Sequence, residues 1–169
     1  IHLDYTAKDT NLSHQGVNMS FSKLSFAPLL ILSLWSSVAQ ANSLTTTFAA
    51  GNGQDGNIFD IVAINDVTIN GFDIHIGGTC SGTVEIWYRP GSGYGHISSS
   101  SGWTLHSSAT VGGAGQGVPT SYPGTVSIQI PAGQRYGFYI TGTGPCDFDY
   151  TNGSNVGNVY TSDSNISIL

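Results

Sequence analysis

Charge is the scarcest commodity in this chain. Its 169 residues include only 4 Lys+Arg and 10 Asp+Glu, or 8% charged, where a soluble domain usually carries about 25%. That scarcity excludes long charged helices and coiled coils, which need Glu, Lys and Arg in quantity. The formal net charge of −6 excludes the basic footprint of a nucleic-acid binder. Cysteine is limited to two residues and methionine to one. No window beyond residue 41 shows a 3.6-residue apolar period with caps, so helices are not expected there. What is plentiful is glycine, 23 residues, together with 39% hydrophobic and 11% aromatic residues. That apolar content is enough to build a core, which argues against disorder.

The N-terminal quarter divides by composition. Residues 1–18 precede Met19 and read as an upstream leader outside the fold. Residues 19–41 have the order of a secretory signal peptide: Lys23 in a short n-region, an apolar run from Leu24 to Trp35, and Ala39 and Ala41 at an A-x-A cleavage site. The 12-residue apolar run is far shorter than the roughly 20 residues that span a bilayer. Cleavage is therefore expected after Ala41, giving a secreted or cell-surface domain of residues 42–169 with no membrane span. In that domain Arg89 and Arg135 are the only Lys or Arg, against eight acids. The run Asn165-Ile-Ser-Ile-Leu169 stops within an alternating pattern, from which truncation at the C-terminus is expected.

Alternation dominates the domain. Val67 and Ile69 lie on one face; beyond Gly71 the apolar role passes to Phe72, Ile74 and Ile76, a slip that predicts a β-bulge. Val84, Ile86 and Tyr88 alternate with Glu85, Trp87 and Arg89. Further strands are expected at 45–48, 58–63, 103–111, 125–130, 135–141, 148–150, 159–161 and 166–169. Pro131-Ala-Gly-Gln134 reads as a hairpin turn. Eight to ten short strands imply an all-β fold, an antiparallel β-sandwich that is jelly-roll-like with Greek-key connections. In an oxidising compartment the pair Cys80 and Cys146 is expected to form one disulfide.

Chemistry-bearing patterns are sparse. Gly51-Asn-Gly-Gln-Asp-Gly56 matches G-x-G-x-x-G, but strand-like residues follow where a dinucleotide site needs a helix; a Gly-rich loop is the plainer reading. Calcium is the one cofactor candidate, with Asp55, Asn57 and Asp60 in one group and Asp147 and Asp149 in another, because Ca²⁺ takes carboxylate, amide and carbonyl oxygens. The histidines show no zinc spacing; His75 is expected to face solvent. No G-x-S-x-G elbow occurs, and a single glutamate, Glu85, leaves little acid–base repertoire, so catalysis is not expected. The aromatics offer more. Trp87, beside Glu85 and Arg89, with Tyr94 in the next loop, could form a flat platform for stacking sugars.

Taken in order, Gly51-Asn-Gly-Gln-Asp-Gly-Asn-Ile-Phe-Asp60, Val67-Thr-Ile-Asn-Gly-Phe-Asp73, Val84-Glu-Ile-Trp-Tyr-Arg89, Trp103-Thr-Leu105, Ile130-Pro-Ala-Gly-Gln134, Tyr136-Gly-Phe-Tyr139 and Tyr150-Thr-Asn-Gly153 have a familiar look. The chain resembles an uncharacterised β-sandwich module of exported bacterial cell-surface proteins of the PEP-CTERM type. The resemblance implies a jelly-roll-like extracellular module without assigned catalytic residues. The expected function is adhesion or recognition at the cell surface, with a glycan or another surface component as partner. A secreted hydrolase or its accessory domain is the alternative, and a purely structural surface protein a further one.

Overall fold

The computed structural model describes residues 1–8, 39–49 and 51–169. Among them every regular element is a strand, and all the strand pairings are antiparallel. In chain order the strands are β1 (His2–Lys8), β2 (Ala39–Thr45), β3 (Asn52–Gln54), β4 (Gly56–Ala63), β5 (Val67–His75), β6 (Ser81–Pro90) and β7 (Thr104–Gly112). The remainder are β8 (Pro119–Ser121), β9 (Ile128–Ile130), β10 (Arg135–Thr143), β11 (Phe148–Tyr150), β12 (Thr161–Ser162) and β13 (Ile166–Ile168). One sheet runs β2-β1-β5, with β9 and β8 pairing along the far edge of β5. The other runs β12-β13-β4-β10-β6-β7, and β3 and β11 make a separate ribbon. The fold is an antiparallel β-sandwich. Strands distant in sequence lie side by side, β4 with β10 and β1 with β5, a feature shared with Greek-key arrangements.

Alternation decides which side chains enter the core. Ile61, Val84, Ile86, Phe138, Ile140 and Ile166 come from the six-stranded sheet; Val67, Ile69, Phe72, Ile74, Ile128 and Ile130 oppose them. Phe138 joins the two layers: its ring stacks on Phe59 with centroids 5.6 Å apart and lies 5.8 Å from Phe72, a spacing that favours aromatic pairs. The phase slip in β5 is present. Opposite β1, Asp4 faces Gly71 and Tyr5 faces Ile69, so Asn70 is the extra residue of a bulge.

Three expectations change. Residues 1–18 were expected to lie outside the fold, yet His2–Lys8 is β1, seated between β2 and β5. The physical reason is a period-two pattern in seven residues: Leu3, Tyr5 and Ala7 are buried while His2, Asp4, Thr6 and Lys8 point away. Pro131–Gln134 is a turn, with Gly133 at φ 75° and Gln134 N–H donating to Pro131 O at 3.0 Å. It is not a hairpin, however: β9 pairs with β5 and β10 with β4, so the turn carries the chain from one sheet to the other. The segment Gly51–Gly56, expected as a loop, contains β3, which pairs with β11. Residues 19–38 of the expected signal peptide lie outside the described residues, and Ala39–Ala41 open β2.

Cys80 and Cys146 form the expected disulfide. It ties the start of β6 to the approach to β11.

Candidate functional site

The outer face of the six-stranded sheet carries the aromatic residues. Along β6, Val84 and Ile86 go inward, so Glu85, Trp87 and Arg89 go outward. Trp87 lies directly opposite Tyr139 of β10 on one side and Leu105 of β7 on the other. Tyr139 in turn faces Ile58 of β4. Four adjacent strands thus contribute one row, Ile58-Tyr139-Trp87-Leu105, across the sheet. Cross-strand neighbours of this kind support one another. The indole Nε1 of Trp87 donates to Glu85 Oε2 at 2.8 Å, which sets the ring's orientation.

Trp103, arriving from the loop that precedes β7, extends the row. Its ring centroid lies 6.2 Å from that of Tyr139, and its Nε1 donates to His96 O at 2.9 Å. The guanidinium of Arg89 sits 5.8 Å from the Trp103 ring centre, a cation–π distance. Ile58, Leu105 and Tyr94 are all exposed, Tyr94 to 68%. The result is a band of apolar rings with one anion and one cation beside it.

Asp60 holds the loop over this face. Its Oδ1 accepts Gly93 N–H at 2.8 Å, its Oδ2 accepts the Ser92 hydroxyl at 2.6 Å, and Arg135 Nε lies 2.8 Å from Oδ2. The Arg135 contact is an ion pair whose N–H direction departs from the hydrogen-bond axis. The loop reaches so close because Gly137 has no side chain: a Cβ there would stand 2.3 Å from Gly93 N.

The expected recognition residues therefore come together in part. Glu85, Trp87 and Arg89 share one face, and Tyr94 projects from the neighbouring loop. Trp103, Tyr139, Leu105 and Ile58 belong to the same band but were not assigned to it from sequence. For Tyr139 the signal is positional, since it stands out of phase with the buried Phe138 and Ile140; Ile58, Leu105 and Trp103 have no buried sequence neighbour to mark them.

The expected calcium residues are placed differently. Asp55 is exposed, Asn57 and Asp60 point to opposite faces of β4, and Asp60 is engaged by Arg135, Ser92 and Gly93. The three are not gathered round one point. Asp147 and Asp149 do line a common cavity of about 240 Å³ with Gly51, Gly77 and Gln116. Asp149 is buried there, with Oδ2 3.6 Å from His75 Nε2. His75, expected to face solvent, is 2% exposed. Its Nε2 accepts Gly117 N–H at 2.7 Å, and its ring meets Phe48 edge-on at 5.7 Å. Burial follows from position: His75 ends β5 where β8 and the Gly115–Gly117 segment cover it. Among the described residues no three His, Cys, Asp or Glu side chains are grouped to hold a metal ion, and no helix is long and apolar enough to cross a membrane.

No protein-family model matches the chain, and no curated protein matches its sequence.

Proposed function

We propose that the domain is a non-catalytic recognition module, exported to the cell surface, that binds neutral glycans on the outer face of its six-stranded sheet. The observation that carries this reading is the band formed by Trp87, Tyr139 and Trp103 across β6, β10 and the edge of β7. Sugar rings present flat C–H faces that stack on aromatic rings, and these three rings are half-buried, so each keeps part of its surface open to solvent. Glu85 and Arg89 share the outward face of β6 with Trp87 and offer an acceptor and a donor to sugar hydroxyls. The net charge of −6 and the low number of cations favour neutral over acidic chains. The resemblance to exported bacterial modules motivates the export part of this reading and not its glycan part.

Glycan-array binding of the purified protein tests the reading, with Trp87→Ala as comparison. Loss of a buried aromatic anchor commonly costs about 2 kcal/mol, or about 30-fold in affinity. Binding of at least one neutral glycan class, weakened by that order in a Trp87→Ala protein that is still folded at the assay temperature, is expected. Equal binding by both proteins would move the site elsewhere. Turnover of a glycoside or ester panel would favour a hydrolase.

A further inference from the structure

Strand β1 is held through ladders on both sides and three buried side chains. Leu3, Tyr5 and Ala7 face Phe72, Ile69 and Val67 of β5, and Leu44, Asn42 and Gln40 of β2. The Tyr5 hydroxyl donates to Asp163 and accepts from Asn165 Nδ2 at 3.2 Å, so the seat has a polar floor at its centre. Yet β1 lies on the far side of the export signal from every other strand except the first residues of β2. A signal peptide enters the membrane with its basic n-region held on the side of synthesis. Residues ahead of it do not cross with the domain. A domain exported from Asn42 onward therefore lacks β1, and the Val67–Asp73 edge of β5 loses its partner there.

We propose that the seat of β1 is a strand-acceptor slot, filled in the exported domain by an extended segment of a partner polypeptide. That segment carries a large aliphatic, a tyrosine and a small residue at alternate positions, as Leu3, Tyr5 and Ala7 do. An unpaired sheet edge beside an apolar trough is a template for strand addition, where the main chain gives affinity and alternate pockets give specificity. Tyrosine is specified at the centre because its hydroxyl meets both Asp163 and Asn165. The domain's own first residues do not supply this strand by sliding over: β2 is antiparallel to β1, and β1 to β5, so Asn42–Thr45 run parallel to β5, whereas the slot's ladder is antiparallel. The proposal rests on the export part of the reading above and not on its glycan part.

The test uses the full chain with a specific protease site placed within residues 9–38. After cutting, a fluorescent peptide with the sequence of residues 1–8 is added in excess, and uptake is followed by polarisation and native mass spectrometry. Stoichiometric uptake is expected, and a peptide carrying Leu3→Asp and Tyr5→Asp should bind about 100-fold more weakly or worse. If the cut chain unfolds when residues 1–8 leave, recovery of the fold on adding the peptide supports the slot, and no recovery overturns it. A cut chain that keeps its melting temperature without residues 1–8 and takes up no peptide also overturns it. So does closure of the slot by a second copy, seen as a dimer that excludes the peptide. Glycan binding is scored separately, so either reading can fail alone.

Discussion

Single residues carry two separable duties in this sheet. Gly137 is chosen for what it lacks. A methyl group at that position would press on the backbone of Ser92 and Gly93, and backbone cannot swing aside as a flexible side chain can. Gly137→Ala should lower stability by about 1–3 kcal/mol and displace the loop that Asp60 pins. Chemical denaturation measures the first effect; the second appears as a change in Trp103 fluorescence. Tyr5 is sensitive to pH for a different reason. Burial, reinforced by the Asp163 carboxylate, pushes its phenol up to about 12 from the ordinary 10. A raised folded-state value means that the neutral phenol stabilises the fold, fully below pH 10 and progressively less as pH climbs toward 12. Denaturation midpoints at pH 9 and pH 11.5 should therefore fall further in the wild-type chain than in Tyr5→Phe. Equal falls would show that the Tyr5 hydroxyl is not the group responsible.

At the scale of elements, the disulfide and the strand order are the informative features. Cys80 and Cys146 close a loop of 66 residues in sequence, for which the chain-entropy model gives about 4 kcal/mol. Replacing both by serine should lower the unfolding free energy by that order, read from denaturant titration with and without reductant; reductant should have no further effect on the double variant. The strands themselves were largely legible. β5, β6 and β10 are long enough for the period-two signal to rise above noise, and even the bulge at Asn70–Gly71 showed as a phase slip. Other elements were hidden for specific reasons. β8 has three residues, only Thr120 of them buried, and leaves no period to read. β1 was missed because Ile1–Asn18 as a whole shows no apolar period; the alternation is confined to the seven residues His2–Lys8 and rests on Leu3, Tyr5 and Ala7, of which alanine is only weakly apolar. The Pro131–Gln134 turn was visible as a turn, but local residues do not encode which sheet the next strand joins; that depends on β5 lying across the sandwich. The site was half legible. Alternation put Glu85, Trp87 and Arg89 on one face, whereas Trp103 and Tyr139 join them through ladder register, a long-range property. His75 and Asp60 were misplaced because burial by a covering loop leaves no mark in the covered strand.

At the scale of the molecule, the six-stranded sheet has two unlike faces, and the proposed recognition band occupies only the outer one. The inner face meets β5 across Phe59, Phe72 and Phe138; the outer face carries Trp87, Tyr139 and Trp103. Adjacent residues on β10 illustrate the division, since Phe138 is fully buried and Tyr139 is half-buried one position later. Truncating a core phenylalanine removes both its transfer free energy and the packing around it, about 3–5 kcal/mol. A domain of this size is stable by only about 5–15 kcal/mol in total, so Phe138→Ala should lose a large fraction of its stability. Tyr139→Ala, on the same strand, opens no cavity between the sheets and should cost about 1 kcal/mol. For glycan binding the order reverses: Tyr139→Ala should weaken it while Phe138→Ala, assayed well below its melting temperature, leaves it near wild type. Parallel thermal melts and glycan titrations of the two variants measure both orders. If the two properties fell together in both variants, the outer band would be part of the sheet's packing and the recognition surface would lie elsewhere.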